Sequence, residues 1–113
     1  MKLLTAAIKA KLLKNAEASA ASEGGIDHQP VVKLFGGGAC TWLISEMDKD
    51  GIMFGLADLG MGTPEMGSVW LTELEEVRFP PFGLPIERDL HWKAKQTLSQ
   101  YADEARSLGR INA

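Results

Sequence analysis

The sequence predicts an α+β fold: an N-terminal helix, a mostly antiparallel sheet of four to five strands, a short helical turn and a C-terminal helix. Three observations predict it. Between Thr5 and Gly24-Gly25 the chain is rich in alanine, leucine and lysine, with apolar residues four apart. From Val31 onward, short β-rich runs are separated by Gly36-Gly37-Gly38 and Asp48-Lys49-Asp50-Gly51. After Trp92 apolar residues return at helical spacing.

The size and composition fit one folded domain over residues 1–113, with a core over about 1–102. Leu, Ile, Val and Phe make up about a quarter of the chain, above the level typical of disorder. A formal charge of -3 and a pI near 5.3 argue against a chain-wide surface for nucleic acid or anionic membrane, while leaving room for a local basic patch. Cys40 is the only cysteine, which excludes an intramolecular disulfide and a cysteine-clustered zinc site. Lys9 and Lys11 interrupt the opening apolar run before it reaches signal-peptide length, and no stretch is apolar enough to span a bilayer, so the expected place is the cytoplasm.

Thr5 is a helix N-cap, and Leu4, Ile8 and Leu12 then share one face, giving a helix over roughly 5–21. Lys2, Lys9, Lys11 and Lys14 precede the first acid, Glu17; they form a solvated face or a small patch for phosphate. Ser22 to Pro30 is a loop holding His28, which has no neighbouring partner for metal binding or catalysis. Val31 to Phe35 is a strand, closed by three glycines that lack the Gly-Lys-Ser/Thr ending of a phosphate loop. Cys40 to Glu46 is the next strand, with Cys40, Trp42 and Ile44 on its apolar face and Cys40 acting as a small buried hydrophobe. The turn at Asp48 to Gly51 leads to a return strand over Ile52 to Leu59, with Ile52, Phe54 and Leu56 inward and Trp42 as cross-strand neighbour. Gly60 and Gly62 fail as a dinucleotide fingerprint because Glu65 takes the third glycine position. No cofactor is implied.

Gly67 to Leu71 reads as a fourth strand, and Thr72 with Glu75 forms a capping box for a helical turn over Glu73 to Val77. Pro80, Pro81 and Pro85 make Arg78 to Pro85 an ordered, non-helical connection. If Ile86 to Trp92 is then extended, Ile86, Arg88, Leu90 and Trp92 lie on one side and Glu87, Asp89 and His91 on the other. The last helix covers roughly 97–108, ends at Gly109, and packs on the sheet or on the first helix.

Several stretches together resemble a known family. They are Leu3-Leu4-Thr5, Thr41-Trp42, Phe54-Gly55, Leu71-Thr72-Glu73-Leu74-Glu75 with Val77-Arg78, and above all Gly83-Leu84-Pro85-Ile86-Glu87-Arg88-Asp89-Leu90-His91-Trp92. On these the chain, from Met1 to about Ala102, resembles domain of unknown function 2958, a family of short bacterial proteins often carried by plasmids and integrated mobile elements. The resemblance implies a small cytoplasmic protein with no established activity, and so carries no catalytic residues over. The alanine-rich first helix and the helix-like tail after Tyr101 depart from the family's pattern.

Three functional readings follow. The leading one is a non-enzymatic accessory or binding domain that docks another macromolecule, a protein first, through a sheet face or the strand of Arg88; Glu87, Arg88, Asp89, His91 and Trp92 are its candidate binding residues. It is expected to be a monomer or weak oligomer. Structurally, Arg88 and its acidic neighbours are expected to form an ion-pair network that orders the proline loop, joined by Arg78 or the Glu73 to Glu76 cluster, and Trp42, Trp70 and Trp92 serve either the core or an interface. The second reading is nucleic-acid binding, through the lysines of the first helix or through Arg88, Lys93 and Lys95 beside Trp92. The third is a small metal-dependent hydrolase centred on Glu87, Asp89 and His91. Alternate residues on one strand lie nearly 7 Å apart, so the outer pair would be about 13 Å apart and would not reach one ion.

Overall fold

The computed structural model describes residues 2–113. Helix α1 covers Ala6–Ala21, and the Thr5 hydroxyl accepts from the amide of Ile8 at 3.1 Å, as its N-cap role requires. Four strands follow as an antiparallel meander: β1 (Val32–Gly36), β2 (Cys40–Met47), β3 (Ile52–Asp58) and β4 (Glu65–Trp70). A short helix α2 (Leu71–Glu76) leads to a two-stranded ribbon, β5 (Arg78–Phe79) and β6 (Leu84–Pro85), with a cis Pro80-Pro81 bond at its tip. Strand β7 (Glu87–Arg88) returns beside β1, and helix α3 (Leu98–Leu108) closes the chain. The sheet order is β4-β3-β2-β1-β7. This is the predicted α+β architecture.

Each face of the sheet carries a helix. Trp42 and Ile44 of β2 join Leu12 of α1, Leu34, Met53 and Leu74 in one buried cluster. Their neighbour Leu43 points the other way and joins Leu56 with Leu98, Tyr101, Ala102 and Ala105 of α3. Helix α1 thus packs on one face of the sheet and α3 on the other. The return strand is likewise more two-sided than its alternation suggested: Met53 enters the α1 cluster and Leu56 the α3 cluster, and Trp42 lies opposite Ala57.

Two local devices hold the layers together. Register slips between Ile44 and Glu46, leaving Ser45 as the extra residue of a β-bulge. The freed Ser45 carbonyl accepts from the Asn15 side-chain amide of α1 at 3.0 Å, and Asn15 is only 6% exposed. Opposite Ile44 sits Gly55, where a Cβ would lie 2.0 Å from the Leu43 carbonyl oxygen. The strands approach there so closely that only glycine fits.

Three local expectations change. The Thr72–Glu75 box does not cap α2: the helix starts at Leu71 with Trp70 as an N-cap that makes no side-chain bond. Its placement is set by Leu71 and Leu74, three apart and both buried. The box forms instead at α3, where the Thr97 hydroxyl and the Gln100 side chain exchange bonds. The proline connection is a paired ribbon, with Arg78 opposite Pro85 and Phe79 opposite Leu84.

The third change concerns the candidate binding stretch. Only Glu87 and Arg88 are strand, and the amide of Asp89 adds one more bond to the Lys33 carbonyl. The Asp89 carboxylate then accepts from the amide of His91 at 3.3 Å and turns the chain, leaving Leu90 62% exposed. Ile86 enters the α1 cluster, whereas Trp92 packs on the α3 cluster. The segment therefore carries the chain around the edge of β1 from one face to the other, which no single alternating strand does.

Candidate binding site

The candidate residues divide between two open clefts, Glu87 and Arg88 lining one and Asp89, His91 and Trp92 the other. One, of about 660 Å³, is walled by Lys2, Glu75, Arg78, Pro85, Glu87 and Arg88. The other, of about 690 Å³, is lined by Asp89, His91, Trp92, Lys93, Lys95 and Tyr101 among others. Glu87 thus lies in a different cleft from Asp89 and His91. Among the described residues no three His, Cys, Asp or Glu side chains are placed to hold one ion. The hydrolase reading loses its centre on that geometry.

Arg88 works at the seam between the chain's beginning and the sheet. Its Nη1 donates to the Leu3 carbonyl at 2.7 Å and to the Lys2 carbonyl at 3.2 Å, so the guanidinium fixes the segment leading into α1. Arg78 also addresses backbone, donating to the carbonyls of Glu75 and Val77 at 2.9 and 2.7 Å, where α2 ends. Arg78 thus acts as a cap on the end of α2.

The tryptophans divide too. Trp42 is core, Trp70 is 44% exposed, and Trp92 is half-buried with its ring 6.1 Å from that of Tyr101 and tilted by 44°. The Tyr101 hydroxyl accepts from the amide of Lys95 at 3.0 Å, which orders the rim of the second cleft. Lys93 and Lys95 are exposed there; Lys2, Lys11 and Lys14 are exposed on and before α1, with Lys9 half-buried.

His28 has a structural partner. Its Nε2 lies 3.0 Å from the Asn15 carbonyl, which can only accept, so Nε2 carries the proton. Beside it, Asp27 receives the Ser99 amide at 3.0 Å and the Ser99 hydroxyl at 2.5 Å. Partial burial pushes the Asp27 carboxyl up, but the bonds from Ser99, with Thr97 and the nearby His28, outweigh it and hold the group below its ordinary value. The loop is thus a clamp between α1 and the start of α3. Burial, and then the Asp58 carboxylate, push the Cys40 thiol above its ordinary value, which makes it a poor nucleophile.

The feature that pattern reading missed is the ribbon. The Phe79 ring lies against Gly36 and Gly37: a Cβ at Gly36 would sit 2.5 Å from its Cε2, and one at Gly37 2.7 Å from its Cδ1. Gly36 and Gly37 thus serve as an aromatic seat as well as part of a turn. Beyond that seat the ribbon projects Phe82, 82% exposed, and Leu84, 59% exposed. Phe-Pro-Pro-Phe-Gly-Leu-Pro, read as seven apolar residues around a turn, carried the available signal.

A family model described as a protein of unknown function, DUF2958, matches residues 3–112. The chain belongs to that family. The match spans nearly the whole chain, so both clefts and the ribbon are parts of the DUF2958 fold in this protein. No curated protein and no solved structure matches the chain.

Proposed function

We propose that this DUF2958 protein is a non-enzymatic binding domain of the cytoplasm that docks a protein partner through the β5–β6 ribbon and the cleft at its base. The observation that carries the reading is Phe82, held almost fully in solvent at the tip of a ribbon whose base is seated on Gly36 and Gly37. Phe82 and Leu84 would each contribute roughly 1.5–3 kcal/mol on entering a partner's apolar pocket. Aromatic anchors of this kind dominate protein interfaces, and a seated base limits the ordering cost of binding.

The polar surroundings favour protein over nucleic acid. Glu75 and Glu87 share the cleft lining with Lys2, Arg78 and Arg88, a mixed set of charges that matches a mixed protein surface better than a phosphate backbone. In this reading Glu87 and Arg88 contribute to the site as part of the cleft lining. Asp89, His91 and Trp92 fall to a second reading, in which the other cleft binds single-stranded nucleic acid through Lys93 and Lys95 beside the Trp92 and Tyr101 rings.

The test places a photo-crosslinking amino acid at position 82, and as a control at exposed Ser107, in the native host. A discrete protein adduct is expected at 82 only, resistant to nuclease and to about 0.5 M salt, and lost with Leu84→Ser. Equal adducts at both positions, a nuclease-sensitive adduct, or an adduct of twice the chain's own mass would each sink the reading.

A further inference from the structure

Strand β4 ends the sheet, paired with β3 on one side and with its outer edge open. Five of its six residues, Glu65, Met66, Gly67, Ser68 and Trp70, are exposed. Open edges in soluble proteins carry lysine, proline or bulges that block strand addition. Within β4 there is none of these; its one charge is Glu65 at the start, and the register slip lies one pair inward, between β2 and β3. The opposite edge of the sheet, β7, is two residues long and ends in a turn, so it offers no comparable template.

Cross-strand partners show which way β4 faces. Met66 lies opposite Leu56 and Ser68 opposite Phe54, both on the α3 side; Trp70, in phase with them, lies opposite Ile52. Val69, opposite Met53, packs into the α1 cluster instead. Met66, Ser68 and Trp70 therefore form an exposed row on the α3 side of the edge.

We infer that β4 pairs antiparallel with the β4 of a second copy, joining two five-stranded sheets into one across a two-fold axis at Ser68. In an antiparallel ladder alternate residues direct their backbone groups to the same neighbour, so the set not used on β3 points outward. Two-fold self-pairing must match outward with outward, which places the axis at a residue and not between two. Centring on Gly67 would bring Pro64, which has no amide donor, into the ladder opposite Trp70. Centring on Ser68 sets Met66 opposite the partner's Trp70 at both ends, a thioether against an indole, with the two small serines on the axis. Glu65 then never faces its own copy. This self-complementary pattern is what selects a second copy over an unrelated extended peptide. Exposed Leu59 and Met61, on the loop into β4, extend the apolar surface at the end where the partner's Trp70 arrives.

The test starts with sedimentation equilibrium of the full chain from low to several hundred micromolar. The mass is expected to rise from 12.3 kDa toward twice that value. Ser68→Lys sets like charges opposite each other on the axis and should weaken association roughly fivefold without changing the circular dichroism spectrum. In a Cys40→Ser background, Ser68→Cys should form an intermolecular disulfide under a mild thiol oxidant far faster than Gly67→Cys. The serine positions would face each other within about 4.5–5.5 Å between Cα atoms, inside disulfide reach. A mass fixed at 12.3 kDa throughout, or equal cross-linking at 67 and 68, overturns the pairing. Since two strands lie between β4 and β1, at whose end the ribbon is seated, failure here leaves the ribbon reading standing, and failure there leaves this one.

Discussion

Asn15 and Gly55 meet around the same irregularity in β2, and each is explained by a backbone atom. Asn15 meets the carbonyl that the Ser45 bulge releases; Gly55 meets the Leu43 carbonyl, with no space for a side chain. Asn15→Ala should destabilise the protein by about 1–3 kcal/mol, because a buried acceptor loses its donor, while Asn15→Asp should do no better for want of an N–H. Gly55→Ala should be worse, at roughly 4 kcal/mol or more, because backbone must move. Urea denaturation of the two variants checks both; a Gly55→Ala protein of unchanged midpoint would remove the close-approach argument. Of these residues the sequence showed only part. A polar residue three beyond Leu12 on an apolar helix stripe is a visible anomaly, as is a glycine inside a strand, but the bulge that explains both depends on pairing between distant residues and leaves no local pattern.

At the scale of elements, what is determined locally was legible and what is determined by contact was not. Helices α1 and α3 carry their own caps at Thr5 and Thr97, and Gly109 adopts the left-handed conformation that ends α3, so their limits could be read directly. Helix α2 is positioned by two buried leucines and β7 is stopped by Asp89, so neither the Thr72 box nor a long alternating run sets the limits of these two elements. The clamp on α3 gives a pH-dependent prediction. The folded Asp27 carboxyl lies below its ordinary value, so its contribution is present above the unfolded value and is lost as pH falls through the folded one. Asp27→Asn should therefore lower stability near neutral pH by about 1 kcal/mol or less, since the group is exposed, and the two proteins should converge in acid. Thermal melts from neutral pH down to strongly acidic buffer would show it, and a gap that widens in acid would contradict it. The ribbon yields a second prediction: Gly36→Ala forces the Phe79 ring from its seat. A cost of about 1–3 kcal/mol is expected, together with faster amide exchange in residues 78–85.

Across the whole molecule, the segments flanking the helices are tied to the sheet by single polar side chains. Arg88 of β7 holds the Lys2 and Leu3 carbonyls ahead of α1. After α3, Asp58 at the end of β3 accepts the Ile111 amide at 2.9 Å on one carboxylate oxygen and the Gly60 amide at 2.9 Å on the other. Asp58 is buried, and so is Ile111, whose side chain belongs to the α3 cluster. The order of helices and strands contained the α+β fold, but nothing in the spacing of residues 58 and 111 announced this contact. It decides how firmly α3 covers its face. Asp58→Ala leaves the buried Ile111 amide without its acceptor, while the exposed Gly60 amide turns to water, and should cost about 1–3 kcal/mol. Asp58→Asn keeps one acceptor oxygen and turns an N–H toward the other amide, so it should recover only part of the loss. Hydrogen exchange separates this from general destabilisation: in Asp58→Asn the amides of residues 109–112 should open first, while the β2 amides keep their protection. Uniform loss of protection across both would mean that α3 and the sheet open as one unit, and that Asp58 is a core residue and not a tether.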